Sequence, residues 1–242
     1  MSSRDRADEQ DQADADAHTQ RLASASLAAN DPAGRFEPLY AAARLGAAVV
    51  PWDRGEPHRL LVQWVQARAP KADGRRALVV GCGLGDDAEY VFRLGFETVA
   101  FDVADSAVYA ARQRFPASRV DYLSADLLSP PHSWRHAFDL VVEILTVQSL
   151  PRTVRQRATA NVGLQVAAGG TLVVVASALA DHDDPRHGPP WPLTRAEIEA
   201  FASDGLEPVS VEDVHTVDRP GAGRWLAEFR RPQSGNSPQG VH

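Results

Sequence analysis

One cysteine, Cys82, stands in a chain of 242 residues. A single thiol excludes an internal disulfide framework and any zinc site that takes several cysteine ligands from one chain, and it points to a reducing, cytoplasmic setting. Lysine is equally scarce: Lys71 is alone beside 24 arginines. It sits in a polar stretch before an apolar run, a poor place for a Schiff-base amine. Apolar runs are short, and none approaches the ~20 residues of a membrane span. The first residues are acidic and polar, without the basic-then-apolar order of a secretory signal. Positive charge is not in excess either, the formal net charge being −7. Neither nucleic acid nor a membrane is therefore expected as a partner. No histidine, cysteine or carboxylate spacing calls for a metal.

What remains, 44% hydrophobic and 24% charged, is enough apolar material for one globular unit with tails. Residues 1–30 read as a disordered arm, because six acidic side chains oppose two arginines over Met1 to His18 and little apolar surface is available to hold a helix. Residues 232–242, rich in Pro, Gly, Ser, Gln and Asn, read as a flexible tail. Between them, residues 31–231 form one domain, with 31–70 as a helical cap. Arg76 to Val80 is a short apolar run ending at Gly81-Cys82-Gly83-Leu84-Gly85, and helical spacing follows through Ala88, Val91, Phe92 and Leu94. Extended runs recur at Thr98–Phe101, Arg119–Leu123, Phe138–Val142 and Thr171–Ala176. Helices are expected between them, one capped by Ser106 and one over Thr153–Ala167. Later, Thr194 and Glu197 make a capping box for a helix reaching Ser203, and Leu206–Val214 with Arg224–Phe229 read as a hairpin at the sheet edge. Repeated strand–helix crossovers imply an α/β fold around a parallel sheet.

The glycine turn by itself is a weak signal, common to many nucleotide sites. Asp86 directly after Gly85 is more selective, since the dinucleotide pattern wants Gly or Ala there and a carboxylate opposes a pyrophosphate. A sulfonium cofactor carries positive charge and no phosphate, so S-adenosylmethionine, with S-adenosylhomocysteine as product, suits the acidic turn better. Asp102, ending the next strand and followed by Val103, is placed to accept from two ribose hydroxyls. Asp126 follows the third strand, where an acceptor meets an adenine amine and Leu127 covers the ring. A nicotinamide oxidoreductase and an inactive cofactor-binding scaffold remain as alternatives.

Val79-Val80-Gly81-Cys82-Gly83-Leu84-Gly85-Asp86-Asp87, with Phe101-Asp102 and Ala125-Asp126, resembles the cofactor core of class I S-adenosylmethionine-dependent methyltransferases. Pro51-Trp52-Asp53-Arg54-Gly55 and Gly188-Pro189-Pro190-Trp191-Pro192-Leu193-Thr194 resemble segments of the thiopurine, thiol and halide methyltransferase branch. The likeness runs from about Phe36 to Phe229. It implies a Rossmann-like three-layer sandwich with a mostly parallel seven-stranded sheet and an antiparallel edge strand, acting on a small-molecule acceptor as a monomer or homodimer. It also implies that Trp52 closes over the cofactor and that the Gly81–Gly85 turn, Cys82 included, holds it.

Around the reacting face, Glu143 at the end of the fourth strand is a candidate to anchor the cofactor amine or act on the acceptor. His58 is a second acid–base candidate. Tyr40, Trp52, Gln148, Arg186 and Trp191 are candidate acceptor contacts, with Arg186 able to pair an acid and Trp191 to cover a ring. The branch often carries aromatics after the acid, whereas the run here is Glu143-Ile144-Leu145-Thr146-Val147-Gln148-Ser149-Leu150-Pro151. This apolar wall favours an organic thiol, hydroxyl or ring nitrogen over a halide.

Overall fold

Alternation along the first strand sets the architecture. In β1 (Arg76–Val80), Leu78 and Val80 belong to one buried cluster while Ala77 and Val79 belong to another. A strand that is apolar on both faces has to be covered on both, so helices flank the sheet on either side. The computed structural model describes residue 17 and residues 19–180, 188–215 and 223–233.

Seven strands lie in the order β3-β2-β1-β4-β5-β7-β6. They are β2 (Glu97–Asp102), β3 (Asp121–Ser124), β4 (Phe138–Ile144), β5 (Val166–Ser177), β6 (Glu207–His215) and β7 (Gly223–Arg230) beside β1. The first five in that order pair in parallel, and β7 runs antiparallel to both β5 and β6. The expected hairpin therefore closes the edge, with the strand that runs opposite one place in and β6 outermost.

Six helices are named here: α1 (Phe36–Arg44), α2 (Arg59–Arg68), α3 (Asp86–Arg93), α4 (Asp105–Arg114), α5 (Arg152–Leu164) and α6 (Arg195–Glu199). On one face Leu60, Leu61 and Trp64 of α2, Val91 of α3 and Val108 of α4 pack against Val79, Val142 and Val173. On the other, Ala158 and Val162 of α5 and Ile198 of α6 join Phe138, Leu172 and Phe229. Trp64 also donates its indole N–H to Glu228 at 3.0 Å, which satisfies a buried polar atom inside this layer. No helix among the described residues is long and apolar enough to cross a membrane.

Several local expectations are revised. Residues 19–28, in the second half of the segment read as a disordered arm, are helical, with Ala23 and Ser26 buried. Helix α4 begins after Ala104 rather than at Ser106, because the Ser106 N–H and hydroxyl both donate to the Glu37 carboxylate, at 2.9 and 2.6 Å. That places an acid from α1 at the N-terminal end of α4, where the helix dipole favours it, and docks the cap helix on the sheet domain. The Thr194–Glu197 capping box is present as expected, but its helix ends at Glu199, short of Ser203.

Candidate active site

The site opens where the strand order turns from β1 to β4, beyond the C-terminal ends of the parallel strands, the usual location of ligands in open α/β sheets. A cavity of about 240 Å³ lies there. Its floor is the turn between β1 and α3. Gly81 has φ +61° and would drive a Cβ into the side chain of Thr146, so only glycine lets the two turns approach this closely. Gly85 has φ +97° and starts α3 in the left-handed region, with the Tyr122 ring against it. Cys82 donates its backbone N–H to Phe101 at 2.8 Å, and burial pushes its thiol up, so the lone cysteine is packing rather than a reactive group.

Asp102 ties this turn to the next one. Its Oδ2 accepts from the Gly83 N–H and its Oδ1 from the Ala104 N–H, both at 3.0 Å. Burial raises its pKa against the pull of those bonds. Val103 is half exposed beside it and lines the cavity. Asp126 Oδ1 accepts from Leu128 N–H at 2.8 Å and so shapes the third turn, while Leu127 is buried on the cavity wall. Asp86 also lines the cavity and faces Arg114 at 3.4 Å, and the same guanidinium holds Asp53 at 3.1 Å. Arg114 thus fastens the Trp52–Gly55 turn to the glycine turn.

Aromatics form the roof. The Trp52 indole N–H donates to the Tyr40 hydroxyl at 2.8 Å, and both Phe36 and Tyr40 meet Trp52 edge to face, at 6.2 and 6.1 Å. Trp52 keeps 39% exposure, so it covers the cavity rather than sealing it in the core.

Other candidates take different places. His58 lines the cavity, but as the cap of α2: its Nδ1 accepts from Leu60 N–H at 3.2 Å, and its backbone N–H donates to the Asp87 carboxylate at 2.7 Å. Burial and nearby arginines pull it down to about 4, so the ring is neutral, with its proton on Nε2. It is a donor and not a free base. Glu143 does not line the cavity. It is 1% exposed, and its Oε1 accepts from the N–H groups of Thr146 and Val147, at 2.8 and 2.9 Å. It therefore shapes the turn after β4, and burial pushes it up to about 7. Gln148 does line the cavity, although its amide bridges to Ser177. Trp191 packs on Gly188 and donates its backbone N–H to Gln148 at 3.0 Å, which places it behind the wall, while Pro189 and Pro190 reach the cavity. Arg186 lies outside the described residues.

The thiopurine S-methyltransferase family profile matches residues 42–228. The chain belongs to this family. It is an S-adenosylmethionine-dependent methyltransferase. A probable thiol methyltransferase of Arabidopsis thaliana is 26% identical over 178 residues, covering 71% of this chain and 73% of the relative. A thiocyanate methyltransferase of Brassica oleracea is 24% identical over 168 residues, covering 68% and 72%. Among solved structures, magnesium protoporphyrin IX methyltransferase from Synechocystis, with bound SAM, superposes with TM-score 0.54 at 15% identity, covering 71% of this chain and 76% of that one. This last likeness concerns the fold.

In the methyltransferase, two residues take roles that the sequence motifs did not give them. Thr146 closes over Gly81 and donates its hydroxyl to Val80 O at 3.1 Å, and Arg35 lines the cavity while buried. Neither belongs to a spacing pattern. An arginine before a helix and a threonine after a strand are ordinary in sequence, and only folding brings them to one cavity.

Proposed function

We propose that this cavity holds S-adenosylmethionine across the Gly81–Gly85 turn, Asp102 and Asp126, and that the enzyme methylates the sulfur of a small organic thiol. The supporting observation is the convergence of those residues with the Phe36–Tyr40–Trp52 roof on one cavity. The donor set suits the cofactor: six cavity carboxylates, Asp53, Glu56, Asp86, Asp87, Asp102 and Asp126, face two arginines, Arg35 and Arg54. Such a balance attracts a cationic sulfonium and ammonium and repels a dinucleotide pyrophosphate.

When bound, S-adenosylmethionine supplies a positively charged sulfonium whose methyl group is open to in-line attack. The chain's part is to orient and to exclude water. Asp102 has remaining lone pairs for hydroxyl groups, the Gly81 backbone permits close approach, and Trp52 covers the opening. His58 Nδ1 is committed to α2 and Glu143 lies off the cavity, so neither stands ready as a base. A thiol ionises near neutral pH without one, whereas an alcohol does not. Sulfur is accordingly preferred over oxygen, in line with the name of the Arabidopsis relative. The single buried cysteine supports a reducing, cytoplasmic location.

Isothermal titration with S-adenosylmethionine, S-adenosylhomocysteine and NADH, followed by single-turnover methyl transfer to matched aryl thiols, phenols and anilines, tests this. Binding of the first two and transfer to thiols is the expected result. Binding of cofactor with no transfer to any acceptor would leave a scaffold, and transfer to phenols alone would overturn the thiol assignment.

A further inference from the structure

Arg35 is 5% exposed and stands immediately before α1. Its Nη2 donates to the Ser149 carbonyl at 2.7 Å, its guanidinium lies over the Phe36 ring at 4.6 Å, and its Nε is sealed without a hydrogen-bond partner. Among the described residues no Asp or Glu forms an ion pair with it, and burial alone pulls its pKa down to about 10. The other buried arginine of the fold is treated differently: Arg155 meets Glu197 at 2.6 Å. Burying a cation without a counter-ion is costly and is tolerated where something else supplies the charge.

The sheet order locates that missing charge. Asp126, Asp102 and Gly81 follow β3, β2 and β1, which puts the cofactor residues on one side of the cavity. Ser149 and Leu150 follow β4 and line the other side, where the bond to the Ser149 carbonyl holds Arg35. An acceptor lying there has apolar walls for its body and one guanidinium end for an anionic group.

We propose that Arg35 binds a carboxylate on the methyl acceptor, so that the substrate is an organic thiol bearing an acid group and Arg35 sets the preference for it over neutral thiols. The inference rests on the methyltransferase reading. A guanidinium fork matches a carboxylate's two oxygens, which a lysine reproduces only as a point charge.

The test pairs para-mercaptobenzoate with para-mercaptobenzamide, which share a shape and differ in charge. The ratio of kcat/KM for acid over amide is measured in wild type, Arg35→Lys and Arg35→Met. Benzoate and benzamide affinities for the S-adenosylhomocysteine complex, by isothermal titration, give a second readout without turnover. The expected wild-type ratio is roughly tenfold or more in favour of the acid, falling towards unity in R35M and partly retained in R35K. A wild-type ratio near one overturns the proposal even if R35M fails to fold. So does an equal loss for acid and amide in R35M, because that pattern belongs to a side chain that only holds Ser149. Failure of wild type to bind S-adenosylhomocysteine would overturn the underlying methyltransferase reading, a different result from binding it without discriminating acid from amide.

Discussion

At the scale of single residues, polar side chains at this site are largely consumed by the backbone. His58 is the clearest case, a residue type suited to proton transfer that spends Nδ1 on the first turn of α2. Its folded pKa, about 4, lies below the ordinary 6.5, so the unfolded chain takes up the proton first as pH falls. The stability of the neutral cap is thus present above that ordinary value and lost as pH drops towards the folded one. His58→Asn keeps an acceptor for Leu60 N–H and removes the titration. Thermal unfolding from pH 8 to pH 4 is expected to show wild type losing stability relative to H58N through this window, and parallel curves would reject a neutral buried cap. For Asp102, substitution by alanine removes the acceptor of two buried N–H groups, each worth roughly 1–3 kcal/mol when left unsatisfied. D102A is expected to unfold at lower temperature and to bind S-adenosylhomocysteine more weakly by titration. Unchanged affinity in the folded variant would confine the carboxylate to shaping its turns.

Among the elements, the turn after β4 couples the sheet to the cavity. Glu143 gathers the Thr146 and Val147 N–H groups, Thr146 then closes on Gly81, and Gln148 reaches across to Ser177 on β5. Burial raises the Glu143 pKa from 4.5 to about 7, with its Oε2 left unpartnered. Here the sign is opposite to that of His58. The native state holds the proton more tightly than the unfolded chain, so the contribution is fully present below the ordinary value and is lost as pH rises through about 7. Glu143→Gln retains an acceptor for both N–H groups and cannot ionise. The difference in melting temperature between wild type and E143Q is expected to move against wild type as pH rises through that window, and Glu143→Ala to be less stable than either at low pH. Asp87, also raised by burial, to about 6, is common to both proteins and cancels in the comparison.

For the whole molecule, both large core clusters draw on residues from Leu60 to Phe229, and neither includes the N-terminal helical segment. That segment touches the site instead, with Thr19 on the cavity wall and Ala23 buried. Removal of residues 1–30 is therefore expected to leave cooperative thermal unfolding intact while weakening S-adenosylhomocysteine binding. Loss of cooperativity would mean that the segment belongs to the core. Saturating cofactor is also expected to raise the melting temperature of the intact protein more than that of the shortened one, since ligand stabilisation follows affinity.

Strand–helix alternation and the glycine turn were legible in the sequence because they depend on local properties: an apolar run of strand length, a left-handed position that glycine tolerates, a cap three residues before its partner. Asp102 and Asp126 were legible as positions for the same reason, one ending a parallel strand and the other following the next. The start of α4 was not, because its first turn is bonded by Glu37, 69 positions away. The roles of Glu143, His58 and Trp191 were also decided only by tertiary structure. A carboxylate, an imidazole or an indole can face a cavity or a neighbouring turn, and packing chooses between them. Arg35 carries the point furthest: its residue type is visible in the chain, but its burial without a counter-ion among the described residues is a property of long-range contacts, which no local pattern encodes.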